Sequence, residues 1–121
     1  MKLKLAPSSI FAAILIAALL LIQNTSGQHL PRRIEVTAKR FEFTPGEITL
    51  KKGEPVVLVL KSLDVTHGLR INELGIETKV EKGHTSEIAF TPDKIGTFIG
   101  HCFVFCGSGH GTMTLTLHIV E

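Results

Sequence analysis

The sequence predicts an all-β sandwich or barrel following an apolar N-terminal stretch. Three observations carry this. Apolar and polar residues alternate with a period of two in one short segment after another. Gly, Pro, Asn and Asp bound these segments at the spacing of a sandwich or barrel. No window of useful length shows the three-to-four-residue apolar repeat of a helix packed on one face.

The elements follow in order. Ile34, Val36 and Ala38 alternate with Arg33, Glu35, Thr37 and Lys39, and Phe41 and Phe43 continue the pattern around Glu42. Pro45-Gly46 marks a turn. Ile48 and Leu50 alternate with Glu47 and Thr49, and Lys51-Lys52-Gly53-Glu54 forms the next turn. Val56 to Leu60 is an unbroken β-branched and aliphatic run, the pattern of a strand buried on both faces. A loop from Ser62 to Gly68 leads into Leu69-Arg70-Ile71. Further strands are expected over Ile76 to Val80, His84 to Phe90, Thr97 to Cys102 and Met113 to Val120. The turns between them fall at Glu73-Leu74-Gly75, Lys82-Gly83 and Thr91-Pro92-Asp93. In the last strand Met113, Leu115, Leu117 and Ile119 alternate with threonines and His118, which puts Met113 on the inner face at the strand's start. The segment from Cys102 to Met113 then joins two neighbouring strands at one end of the scaffold, where binding loops usually sit.

The N-terminus reads differently. Met1-Lys2-Leu3-Lys4 is basic, Ile10 to Ile22 is apolar, and Gln23 to Gly27 is polar with small residues. This is the order of a secretory signal, with cleavage expected before Gln28. The apolar run is short of the roughly 20 residues of a membrane span. A retained N-terminal anchor is the alternative, and membrane association would run through residues 1–27. Either way residues 28–121 form one domain expected outside the cytoplasm, periplasmic or on the outer membrane face. Without Lys2 and Lys4 the 13 basic residues become 11, equal to the 11 acidic ones. That balance excludes a nucleic-acid-binding surface, which needs a basic excess. Arg32, Arg33, Lys39 and Arg40 read as a solvated face.

The chemistry concentrates in Cys102-Phe-Val-Phe-Cys106-Gly-Ser-Gly-His110-Gly-Thr-Met113. Both cysteines of the chain and one of its two methionines lie here, in the order Cys-x3-Cys-x3-His-x2-Met. Thiolate, imidazole and thioether select copper over magnesium, calcium or manganese. The interleaved glycines suit a tight loop around a metal. Two cysteines so spaced in an exported protein also suit a short disulfide, but that leaves His110 and Met113 as coincidences. A mixed site needs a second imidazole. His118 alternates outward, His29 lies near the start, and His84 follows a turn. His101 adjoins Cys102 and so faces the other way. His67, in Ser62-Leu-Asp64-Val-Thr-His67-Gly68, stands where a loop crosses the barrel end. Asp64 reads as a turn residue or as a carboxylate orienting that imidazole.

The loop motif, with Asp64-Val65-Thr66-His67 upstream, resembles the dinuclear copper (CuA) domain of cytochrome c oxidase subunit II, a centre also found in nitrous oxide reductase. The resemblance covers Ile34 to Glu121 and implies a cupredoxin-like Greek-key β-sandwich. It implies that the thiolates of Cys102 and Cys106 bridge two coppers and that His67 and His110 each cap one. Met113 and the carbonyl of Val104 would be weak ligands. Val104 stands where the family has a glutamate, and the chain has no Trp or Tyr, so the aromatic-rich electron-entry stretch is missing. The reading is therefore a free-standing, subunit-II-like electron-transfer protein. Its partner would be a c-type cytochrome or an oxidase subunit. No catalysis is expected of the chain alone; at most it is an electron-entry subunit of an oxidase. One rival is a mononuclear blue-copper carrier built from His67, Cys106, His110 and Met113, against which Cys102 stands as a superfluous thiolate. The other is a periplasmic copper-binding or delivery protein, for which an exposed, Met- or His-rich site is missing.

Overall fold

A computed structural model describes residue 27 and residues 29–121; the expected signal or anchor, apart from residue 27, lies outside the described residues. Among the described residues no helix is long and apolar enough to cross a membrane. The described residues form nine strands, in order β1 (Arg32–Lys39), β2 (Glu42–Thr44), β3 (Glu47–Lys51), β4 (Val56–Ser62), β5 (His67–Ile71), β6 (Ile76–Val80), β7 (Thr85–Phe90), β8 (Gly96–His101) and β9 (Thr114–Val120). They form two sheets, β2-β1-β4-β7 and β3-β9-β8-β5-β6. The all-β sandwich is the one the alternation predicts.

The burial patterns explain why these segments pair as they do. β9 alternates strictly, with Leu115, Leu117 and Ile119 buried. Each such side chain contributes about 1.5–3 kcal/mol when fully buried. β4 lies between β1 and β7, and Val56, Val57, Leu58 and Leu60 are all buried. An inner strand covered on both faces needs such a run. β1 pairs with β4 in parallel, from Arg32↔Val56 to Ala38↔Ser62. This register carries the end of β1 to the start of the β4–β5 connection, and Leu63 N–H donates to Ala38 O there.

Several boundaries differ from expectation: β7 begins at Thr85 rather than His84, β8 runs Gly96–His101 rather than from Thr97 to Cys102, and β9 begins at Thr114 rather than Met113. β4 continues to Ser62, and β5 begins at His67 rather than Leu69, because His67 pairs with Val80. His67 is thus a strand residue, not a loop residue. The turn expected at Glu73-Leu74-Gly75 is present as a 3-10 turn, Asn72–Leu74, closed by Gly75 at φ 64°. The basic surface is solvated as predicted, and within it Arg33 pairs with Glu87 and Lys39 with Glu42.

Candidate metal centre

β8 delivers Cys102 to one end of the sandwich, and the loop returns through Met113 to β9. Cys102 N–H donates to Met113 O at 3.0 Å, closing the neck of the loop. Inside it, residues 110–112 form one 3-10 turn with bonds from His110 N–H to Gly107 O (3.2 Å) and from Thr112 N–H to Gly109 O (3.1 Å). Gly107 has φ 136°, a backbone that glycine alone takes at little cost.

The loop folds its donors inward. Cys102 and Cys106 are both buried and unbonded, with their sulfurs 3.9 Å apart. His67 is completely buried, and its Nδ1 lies 4.0 Å from Cys102 Sγ. His110 Nδ1 lies 3.8 Å from Cys106 Sγ, and Met113 Sδ lies 3.9 Å from the same sulfur. The Cys102 thiol donates to Val104 O at 3.2 Å. His67, Cys102 and Cys106 form a cluster whose donor atoms all lie within 4.8 Å of one another. All six sequence-selected groups are therefore at one place. The other histidines are not. His101 is exposed on β8, His84 pairs with Glu81, and His118 contacts Thr97 and Glu47.

The chemistry of the donor set fits copper. Bond lengths of about 2.0–2.3 Å at a tetrahedral ion place two donors of one ion about 3.3–3.8 Å apart. The observed separations are close to that range and need only a slight contraction. The two sulfurs stand in the middle of the set, Cys102 with His67 beside it and Cys106 with His110.

Asp64 sets the state of His67. Its Oδ1 is 2.7 Å from His67 Nε2 and accepts from Val65 N–H at 2.7 Å, while Oδ2 accepts from Arg40 N–H at 2.8 Å. Burial alone would raise this carboxyl's pKa. The hydrogen bonds from Arg40, His67 and Val65 outweigh it and hold the pKa at about 2. An ionised Asp64 only accepts, so Nε2 carries the ring proton and Nδ1 presents its lone pair to the sulfurs. The Cys106 thiol is pushed up to about 11, first by burial and then by Cys102 beside it, with Arg40 pulling the other way. It is a thiol at neutral pH in the metal-free protein.

Two neighbours were not legible as part of this site. Arg40, read as surface charge, donates from its side-chain Nε to Cys106 O at 2.7 Å. Arg70 lies over the Phe103 ring at 4.5 Å, beside a cleft shared with Glu73, His101 and His110. Phe105 is 79% exposed, and its ring stands 5.6 Å from that of His110. His110, half-buried, is the imidazole of the set that reaches the surface.

The Cupredoxin-like domain family matches residues 11–115. A probable cytochrome c oxidase subunit 2 of Streptomyces coelicolor is 38% identical over 72 residues, 60% of this chain and 23% of that protein. The nitrous-oxide reductase of Cupriavidus necator is 35% identical over 92 residues, 73% of this chain and 14% of that protein. The chain thus spans less than a quarter of either relative's length. Among solved structures, the periplasmic domain of subunit II of cytochrome oxidase from Bradyrhizobium japonicum superposes with a TM-score of 0.68 at 20% identity. The match covers 74% of this chain and 84% of that one, and at that identity it speaks for the fold.

Proposed function

This chain belongs to the cupredoxin-like domain family, and on that premise we propose that it transfers electrons through a dinuclear copper centre outside the cytoplasm. Cys102 and Cys106 would hold the pair of ions, His67 and His110 would each serve one of them, and Met113 and the Val104 carbonyl would be weak ligands. The observation that carries this is the pair of sulfurs 3.9 Å apart with one imidazole nitrogen beside each. A mononuclear site would leave Cys102 buried in the donor set without a role.

Bound there, copper supplies one-electron redox chemistry. The chain's own residues do the rest. Asp64 fixes the tautomer and the ring plane of His67. The buried sandwich end excludes water and restrains the donors, so little rearrangement accompanies a change of charge. His110 and the exposed Phe105 face a partner. The small apolar face suits the brief contact of redox proteins, whose interfaces are small. We assign that partner to the redox proteins, a c-type cytochrome or an oxidase subunit.

The test is copper stoichiometry with an electron paramagnetic resonance spectrum of the copper-loaded protein. Two coppers sharing one unpaired electron are expected. One copper with a single-site spectrum would overturn the dinuclear reading in favour of a mononuclear carrier.

A further inference from the structure

Arg40 touches both donor-bearing segments and belongs to neither. It stands in the turn between β1 and β2, in the β2-β1-β4-β7 sheet. The cysteine loop hangs between β8 and β9 of the other sheet. From the main chain, Arg40 N–H donates to Asp64 Oδ2 at 2.8 Å, and Asp64 holds His67. From the side chain, Arg40 Nε donates to Cys106 O at 2.7 Å. The next residue, Phe41, is the floor on which the loop lies: a Cβ built on Gly107 would come within 2.8 Å of its ring.

The loop has few ties of its own. Its internal main-chain bonds are those of a single 3-10 turn, 3.1–3.3 Å long, and Gly107, Gly109 and Gly111 leave its backbone free to move when unfastened. A charge-assisted bond from a planar guanidinium is among the stronger tethers a carbonyl can have. It also brings a fixed positive charge to the Cys106 end of the donor set, opposite the Asp64 carboxylate at the His67 end.

We propose that Arg40 is a positioning residue that clamps the Cys106 end of the loop to the His67 segment, and whose charge favours the reduced form of the centre. A nearby cation disfavours the more positively charged oxidised form and so raises the reduction potential. The clamp stands without copper; the effect on the potential rests on the function proposed above.

The test compares the wild-type chain with Arg40→Met and Arg40→Lys. Either substitution keeps the main-chain bond to Asp64, so His67 stays held. In the metal-free protein, hydrogen exchange at the amides of His110, Thr112 and Met113 is expected to be about tenfold faster in Arg40→Met, the effect of losing one hydrogen bond to a charged group. The amides of β9 should keep their wild-type rates. Unchanged exchange in the loop, or equal acceleration across β9, would overturn the clamp. In the copper-loaded protein, Arg40→Met should lower the reduction potential while Arg40→Lys, which keeps the charge, stays near wild type. Equal potentials in all three would overturn the electrostatic part. If the wild type takes up no copper, the copper reading fails and the exchange rates still decide the clamp.

Discussion

Asp64 accepts a hydrogen bond from the buried ring of His67 at 2.7 Å, and the same carboxylate also accepts from the main chain of Val65 and Arg40. An asparagine has a single acceptor oxygen, so Asp64→Asn turns an NH2 group toward at least one of these three N–H donors. A donor left unpaired costs about 1–3 kcal/mol where it is buried, as at His67, and less at the exposed Arg40. Loss of the partner that orients a metal-binding imidazole typically weakens metal affinity about 10–100-fold. Chemical denaturation and copper competition against a chelator measure the two effects separately. Wild-type affinity in Asp64→Asn would show that packing alone fixes the His67 ring.

Cys102→Ser and Cys106→Ser distinguish two bridging thiolates from one. If both sulfurs hold both ions, either substitution abolishes the shared-electron spectrum. Cys102→Ser leaves His67, Cys106, His110 and Met113, a set that suits a single blue-copper ion. Metal analysis and electron paramagnetic resonance should find at most one copper in each variant. Two coppers with an unchanged spectrum in either would refute the bridging assignment.

Gly109 and Gly111 are two residues apart on the same loop, and alanine should affect them differently. A Cβ on Gly109 would overlap the Phe41 ring, whereas around Gly111 nothing lies within 4 Å. Gly109 has φ −93°, so its constraint is space and not backbone conformation. Gly109→Ala should lift the loop from Phe41, destabilise the protein by about 1–3 kcal/mol as overpacking does, and speed copper loss. Gly111→Ala should do neither. Thermal denaturation and copper release to a chelator check both, and equal behaviour of the two variants would contradict the Phe41 floor.

Much of this was readable from the chain. Strands such as β9 declare themselves because the alternation of Leu115, Leu117 and Ile119 with threonines is local. The Cys102-to-Met113 donor string is also local, since one loop carries five of the six groups. The role of Arg40 is not local. It depends on the parallel register of β1 with β4, which brings Arg40 alongside Asp64, 24 residues away. A period-two pattern tells which face a residue occupies, but not which strand lies beside it. Following Lys39 in a basic stretch, Arg40 looked like any solvated charge. The sequence places His67 at the barrel end. Its place as the first residue of β5 came from pairing with Val80, which the Gly68 next to it had obscured.

The metal-free protein should be most stable in the middle of the pH range, with the two sides set by different groups. Asp64 is held at about 2, below its ordinary 3.8. A depressed carboxyl stabilises the fold above its unfolded pKa, and that contribution fades as pH falls from about 3.8 toward 2. Cys106 is raised from 9.0 to about 11. A raised thiol has the opposite effect: its contribution is intact below 9.0 and is lost as pH rises toward about 11. Denaturation midpoints across pH should therefore drop on both sides, and Cys106→Ser should remove the alkaline drop while leaving the acid one. An alkaline limb that persists in Cys106→Ser would assign it to another group.

The same raised thiol ties metal uptake to proton release. Copper binds thiolate, yet Cys106 holds its proton at neutral pH because burial and the neighbouring Cys102 disfavour the anion. Loading must expel that proton to solvent. Below about pH 11, each unit rise in pH should therefore raise the apparent copper affinity about tenfold through this proton alone. Calorimetric titration with copper in buffers of different ionisation enthalpy counts the protons released, and at least one per chain is expected at pH 7. The count should fall in Cys106→Ser. Copper binding that releases no proton at pH 7 would mean either that Cys106 is already ionised in the folded protein or that it is not a ligand. An ultraviolet thiolate absorbance in the metal-free protein, present in the first case and absent in the second, would separate them.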